Sequence, residues 1–399
     1  MPTHYAVNHP VLLGVLRLVD AVLAAIRRRR GAPAARADPK RILLCNQAHL
    51  GDAILATAVL PRLRAAFPDA EIGMLVHPDG VRVAGSHPGV RQVHTVEHWH
   101  LNRRGESLRA RLWRHRQSTR TAVRAIRAAR YDLAIDLYHY FPNSIALLSR
   151  CGIPTLAGWD SGGLAPLLDV VGRNGTTPMP VLERHAALLG RLGIASPTPL
   201  QPELPLPEAT MARWRARATA CGLPGRYVAL HLGAHAEHRR WPTAEWVTLA
   251  RALTDRGQAL LLLGQGAAEV DACRQVAAAC PAAMDLAGQL AWDEMLAAIA
   301  QCELLVAHDS APIHVAAAYG RPRICLAAGI NDLRVWLQSH RRSAVLMHPV
   351  VCAPCGRTGG CATMDCLRRV SPTDVLAAFD RLMHDAAADA GHAHAGARP

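Results

Sequence analysis

From Arg41 onward, short apolar runs alternate with segments whose apolar residues recur at helical spacing. Arg41–Cys45, Ile72–Val76, Val90–Val96 and Asp132–Leu137 read as strands, with helices expected over Ala53–Phe67, Glu106–Arg130 and near Asn143–Arg150. A stretch carrying Pro197, Pro199, Pro202, Pro205 and Pro207 breaks the pattern, which then restarts. The second set of strands covers Tyr227–Leu232, Ala259–Leu263, Leu304–Ala307 and Arg323–Ala327. Its helices cover Thr243–Arg256, Ala267–Ala279, Trp292–Gln301 and Pro312–Tyr319. Strand-helix alternation means parallel βαβ units, so the chain is read as α/β with two doubly wound parallel sheets. The expected layout is a preface over 1–38, one Rossmann-like domain over 39–200, a second over 201–385 and a disordered tail over 386–399.

The preface holds an apolar helix, Val11–Ile26, followed by Arg27–Arg30. A secretory signal carries its charges ahead of the apolar segment, and here they come after it. The segment is short for a membrane span, and Arg17 and Asp20 interrupt it. Two readings stand: a helix packed on the domain, or attachment to an anionic membrane surface with the arginines at the headgroups. A cytoplasmic protein, peripheral on the inner membrane, is expected.

Composition narrows the classes. Of 399 residues, 50% are apolar and 19% charged, enough core material to exclude general disorder. Aromatics are only 4%, so the cores must be built from Ala, Leu and Val. The net charge of +14 favours acidic partners. Lys40 is the only lysine, so arginine at any one position carries less meaning than usual. Seven of eleven cysteines are scattered through apolar segments and read as small buried hydrophobes.

Ligands of open parallel sheets bind beyond the carboxyl ends of the strands, which directs attention to the strand-to-helix turns. The first, Cys45–Asp52, is neither a Walker loop nor a dinucleotide fingerprint; it offers Gly51 for a tight turn and Asp52 at a helix start. Asp52 reads either as a helix cap or as a general base whose pKa the helix start would lower. In Asp309-Ser310-Ala311-Pro312-Ile313-His314, Ser310 is placed as an N-cap, and exposed N–H groups there suit a phosphate, with His314 one turn in. The His231–Pro242 turn carries Gly233 and then Arg239 and Arg240, able to reach a diphosphate or merely to form a solvated basic loop.

In this order the motifs resemble glycosyltransferase family 9, the ADP-heptose:lipopolysaccharide heptosyltransferases. The likeness rests on Leu50-Gly51-Asp52 with Ala56–Leu60, Tyr131–Leu137, Ile153–Asp160, Arg239-Arg240-Trp241-Pro242, Asp285–Gly288 and Asp309–His314. It implies a GT-B fold and metal-independent, inverting transfer of heptose from ADP-heptose to the lipopolysaccharide inner core. By the same likeness Asp52 is the base, and Arg239, Arg240, Gly233 and Asp309–Ala311 bind the donor with His314 near its sugar and phosphates. Arg239 stands where the family has Lys, and Ala311 where it has Gly.

Arg109, Arg116, Arg120, Arg124 and Arg127 form one stripe on the expected helix, with Leu108, Leu112, Val123 and Ile126 as its packing face. No nucleic-acid motif accompanies the arginines, so nucleic acid is not expected. Under the resemblance, Gly51, Arg109, Arg116 and Arg120 suit an anionic lipopolysaccharide or lipid A acceptor, with His94, His98 and His100 extending the basic surface. Cys352, Cys355, Cys361 and Cys366 suggest a structural zinc or iron site, or else reduced thiols. Alternatives are another nucleotide sugar, a protein acceptor as in autotransporter heptosyltransferases, or a basic binding protein without activity.

Overall fold

The computed structural model describes residues 5–6, 10–28, 38–102, 105–175, 177–337 and 342–395, the side chains of 27, 28 and 387–395 excepted. The chain divides into two compact units, Met1–Pro205 and Leu206–Pro399, and the division falls within the proline-rich stretch. The linker over 31–37 and the side chains of Arg27–Arg30 lie outside the described residues.

The first unit holds strands β1 (Arg41–Asn46), β2 (Glu71–Val76), β3 (Gln92–Thr95), β4 (Leu133–Asp136), β5 (Thr155–Trp159) and β6 (Val170–Gly172). The second holds β7 (Val228–His231), β8 (Leu260–Leu263), β9 (Ala283–Asp285), β10 (Leu304–His308), β11 (Arg323–Leu326) and β12 (Ser343–Leu346). Each set forms a six-stranded sheet, in the orders β3-β2-β1-β4-β5-β6 and β12-β11-β10-β7-β8-β9. Every pairing is parallel, as in β1 with β4, where Cys45 faces Asp136, and β7 with β10, where His231 faces Ala307. Helices cover both faces of such sheets, which is why central strands read as continuous apolar runs. All four leucines of β8 are buried. The expected fold is therefore the one observed.

Four strands escaped the sequence pattern: β5, β6, β9 and β12. β6, β9 and β12 are short and sit at a sheet edge with one neighbour, so their burial pattern is weak, whereas β5 is an interior, fully buried strand whose apolar run is interrupted by Thr155 and Gly158. The helix expected over Ala53–Phe67 is broken into Leu50–Ala56, a 3-10 turn Thr57–Val59 and Leu60–Ala66. Pro61 cannot donate a backbone hydrogen bond at the break. There the Thr57 hydroxyl donates to Ile54 O at 2.7 Å and accepts from Glu203 N at 2.9 Å. The last helix, Pro372–Ala395, runs on into the segment expected to be a disordered tail.

Gly73 in β2 answers a packing need: a Cβ there would lie 2.0 Å from the Tyr131 hydroxyl. That hydroxyl instead crosses the strand to meet His94 Nε2 at 2.8 Å. In the second unit, Trp241 and Trp246 pack edge to face at 5.2 Å in a core of Leu, Val and Ala.

Candidate active site

In each sheet the winding reverses direction between two central strands, β1 and β4 in the first, β7 and β10 in the second. Turns leaving those strands diverge to opposite sides and leave a crevice at their carboxyl ends.

In the first unit, Leu50–Ala56 begins at this end of β1, with His49 at its N-cap and Asp52 in its first turn. The Asp52 carboxylate accepts the His49 N–H at 3.1 Å, and Asn46 Nδ2 donates to Asp52 O at 3.3 Å. Asp52 therefore does cap its helix, and that same bond fixes the carboxylate at the strand end. The His49 ring stands edge-on to His77 at 6.0 Å. His77 Nδ1 lies 3.2 Å from the Asp79 carboxylate, and its hydrogen bond holds that carboxyl below the usual carboxylate range.

At the end of β4, Asp136 is buried and organises the next turn, accepting Ser144 N at 2.6 Å and Tyr138 N at 3.2 Å. Burial pushes its carboxyl up to about 7 against the effect of those two donors.

The basic surface expected around the arginine stripe needs correction. Arg109, Arg116 and Arg120 are exposed on Leu108–Ala129. His94 is buried against Tyr131, however, and burial drives His98 down to about 3 and lowers His100 and His115. These imidazoles are neutral near pH 7 and add no charge. The packing face was also read too long. Val123 and Ile126 are buried, whereas Leu108, Leu112 and Trp113 are exposed.

The second unit gathers most of the residues expected to bind a donor. His308, the last residue of β10, is buried between the two central turns. Its Nδ1 lies 3.0 Å from Gly233 O, and its Nε2 accepts the Trp241 N–H at 2.8 Å. A carbonyl can only accept, so Nδ1 carries the proton and the ring is neutral. Burial drives its pKa down to about 3. This ring joins the Gly233 turn, the Trp241-Pro242 helix start and Asp309 into one frame.

Against that frame lie the charged groups. Burial raises the Asp309 pKa, and the neighbouring Arg239 guanidinium opposes the shift. Arg240 has a different task, donating from Nε to Ala234 O at 3.1 Å and bracing its own loop. The Glu269 carboxylate accepts Gln265 N at 2.8 Å and lies over Gly233, where a Cβ would approach it to 2.2 Å.

Ser310 occupies the N-cap of Ala311–Ala318 as expected, but its hydroxyl donates to His308 O at 3.2 Å and not to the helix. Ser310 thus leaves the helix start without a side-chain cap; in this first turn Pro312 has no N–H, and Ile313 N–H is taken by Ser310 O at 3.1 Å. His314 is buried one turn in and held neutral, its pKa lowered to about 4 by burial and by Arg323.

The four clustered cysteines follow β12. Among the described residues, no group of three or more His, Cys, Asp or Glu is placed to hold a metal ion. Cys366 is buried, while Cys352 and Cys361 are exposed. Cys361 Sγ instead accepts the Met364 N–H at 3.4 Å.

His308 and Glu269 were not legible as site residues. A histidine closing an apolar strand and a glutamate inside a helix carry no motif, and only the fold brings them to the glycine turn.

Comparison with known proteins places this geometry. The sequence model of glycosyltransferase family 9 (heptosyltransferase) matches residues 119–360. Lipopolysaccharide heptosyltransferase 3 of Escherichia coli K12 is 27% identical over 302 residues, 72% of this chain and 81% of the relative. The solved structure of a family 9 glycosyltransferase from Veillonella parvula superposes with a TM-score of 0.71 at 19% identity, covering 88% of this chain and 99% of that one. For E. coli ADP-heptose lps heptosyltransferase II the TM-score is 0.66 at 22% identity, with coverage of 86% and 98%. The two parallel sheets, the order of the motifs and the family match agree: this chain belongs to glycosyltransferase family 9, the heptosyltransferases.

Proposed function

We propose that this glycosyltransferase moves heptose from ADP-heptose to the inner core of lipopolysaccharide, with inversion and with Asp52 as general base. The observation that carries the reading is the frame in the second unit: Arg239, Asp309 and an uncapped helix start at Ala311 around one buried histidine. A diphosphate is held by a guanidinium and by backbone N–H at a helix start; in this reading Arg239 supplies the first and the Ser310–Ala311 turn the second. In the reaction, Asp52 takes the proton of an acceptor hydroxyl, whose oxygen attacks the anomeric carbon. The bond from that carbon to the diphosphate breaks, and ADP leaves with its charge held by Arg239 and the helix start. Asp52 contributes chiefly by position, since the His49 N–H holds its carboxylate in place. The exposed Arg109, Arg116 and Arg120 suit an anionic acceptor, presented at the cytoplasmic face of the inner membrane.

The test is ADP release by purified protein given ADP-heptose and heptose-deficient lipopolysaccharide, with the acceptor weighed before and after. Acceptor-dependent release and a gain of one heptose are expected, and Asp52→Asn should lose at least about a hundredfold in turnover while still binding donor. Folded protein that binds no ADP-heptose refutes the donor. Full turnover by Asp52→Asn refutes the base.

A further inference from the structure

The helix Pro10–Arg28 is apolar on two sides, and the first unit covers only one of them. On the covered side Leu16 packs over Gly163, and Asp20 accepts Leu164 N at 2.7 Å and the Tyr5 hydroxyl at 2.8 Å. The helix is thus fixed in place through its only acidic residue, which is turned inward. On the other side Val11, Val15, Leu18, Val19, Val22 and Ile26 form one continuous stripe, and all are exposed, Leu18 to 67%. Those positions repeat at helical spacing within an arc of about 100°.

We infer that this stripe lies in the surface of a bilayer rich in anionic lipid, making the helix an in-plane anchor. Charge selects that occupant. Arg27–Arg30 follow the stripe in sequence, Arg17 is exposed on the same helix, and Asp20, the acidic residue of Pro10–Arg28, is buried. A row of aliphatic side chains followed in sequence by four arginines suits acyl chains beneath phosphate headgroups. Among the described residues, no helix is long and apolar enough to cross a membrane, so the helix lies on the surface and does not span it. This deepens the reading of a lipid-borne acceptor by naming the surface that meets the bilayer.

The test needs neither donor nor acceptor, so it stands apart from the transfer assay. Full-length protein is floated with vesicles of phosphatidylglycerol and phosphatidylethanolamine, and with phosphatidylcholine alone. Flotation with the anionic vesicles, weakened by salt, is expected. Leu18→Glu with Val22→Glu should cut partitioning about tenfold or more, and so should replacing Arg27–Arg30 by Gln, with circular dichroism unchanged. Equal partitioning of wild type and Leu18→Glu/Val22→Glu, or no flotation at all, overturns the inference. So does a wild-type dimer that the Glu variant converts to monomer, because the stripe would then be covered by a second copy.

Discussion

Replacing His308 by Leu removes both nitrogens of the central frame at nearly constant volume. The Trp241 N–H loses its acceptor and Gly233 O its donor, both in buried surroundings. An unsatisfied buried polar group costs ~1–3 kcal/mol, so the pair predicts a loss of ~2–5 kcal/mol near pH 7.5. The same replacement changes how stability responds to acid. The folded pKa of His308, about 3, lies below the ordinary 6.5, so between those values the folded protein binds fewer protons than the unfolded chain. The neutral ring's contribution is therefore intact above pH 6.5 and declines as pH falls, at about 1.4 kcal/mol per pH unit. The Leu variant lacks this term. Urea unfolding from pH 7.5 to 4.5 should show wild type and variant converging by ~2–3 kcal/mol. A gap under about 0.5 kcal/mol at pH 7.5, or one that stays constant with pH, refutes the neutral-ring frame.

Three further outcomes are expected. Asp136 has the opposite sign: its folded pKa of about 7 lies above 3.8, so stability is lost as pH rises from 4 towards 7. That loss amounts to about 4 kcal/mol, and Asp136→Asn should flatten it in the same unfolding series. Arg239→Ala should weaken ADP binding by about tenfold or more in calorimetry, whereas Arg240→Ala should chiefly lower stability, because Arg240 braces the loop through Ala234 O. Brief alkylation followed by mass mapping should label Cys361 well ahead of Cys273 and Cys302. The Met364 N–H lowers the thiol pKa of exposed Cys361, while burial raises those of the other two.

Much of this architecture was legible because parallel strands covered on both faces leave long apolar runs, as in Leu260–Leu263 and Leu304–Ala307. Edge strands such as Ser343–Leu346 were not, since one neighbour and partial burial impose little pattern. Motif residues in the strand-to-helix turns were found at the strand ends expected of them, Asp52 after β1 and Asp309 after β10. Their local chemistry was less legible. Ser310 was expected to cap a helix, yet its hydroxyl turned back to His308 O, a choice set by a strand end that spacing does not describe. His94 and His98 were read as surface charges because sequence shows the basic side chain and not the burial that neutralises it.

The two sheets share one winding, with the first and fourth strands of each at its centre and the later ones outside. A chain that uses the same pattern twice has, in each unit, a rigid middle and a tolerant periphery. Substitutions after β1 and β4 alter one unit's chemistry without disturbing the strand ladder of the other. The division at Pro205 gives each unit a complete sheet and its own central pair of strands.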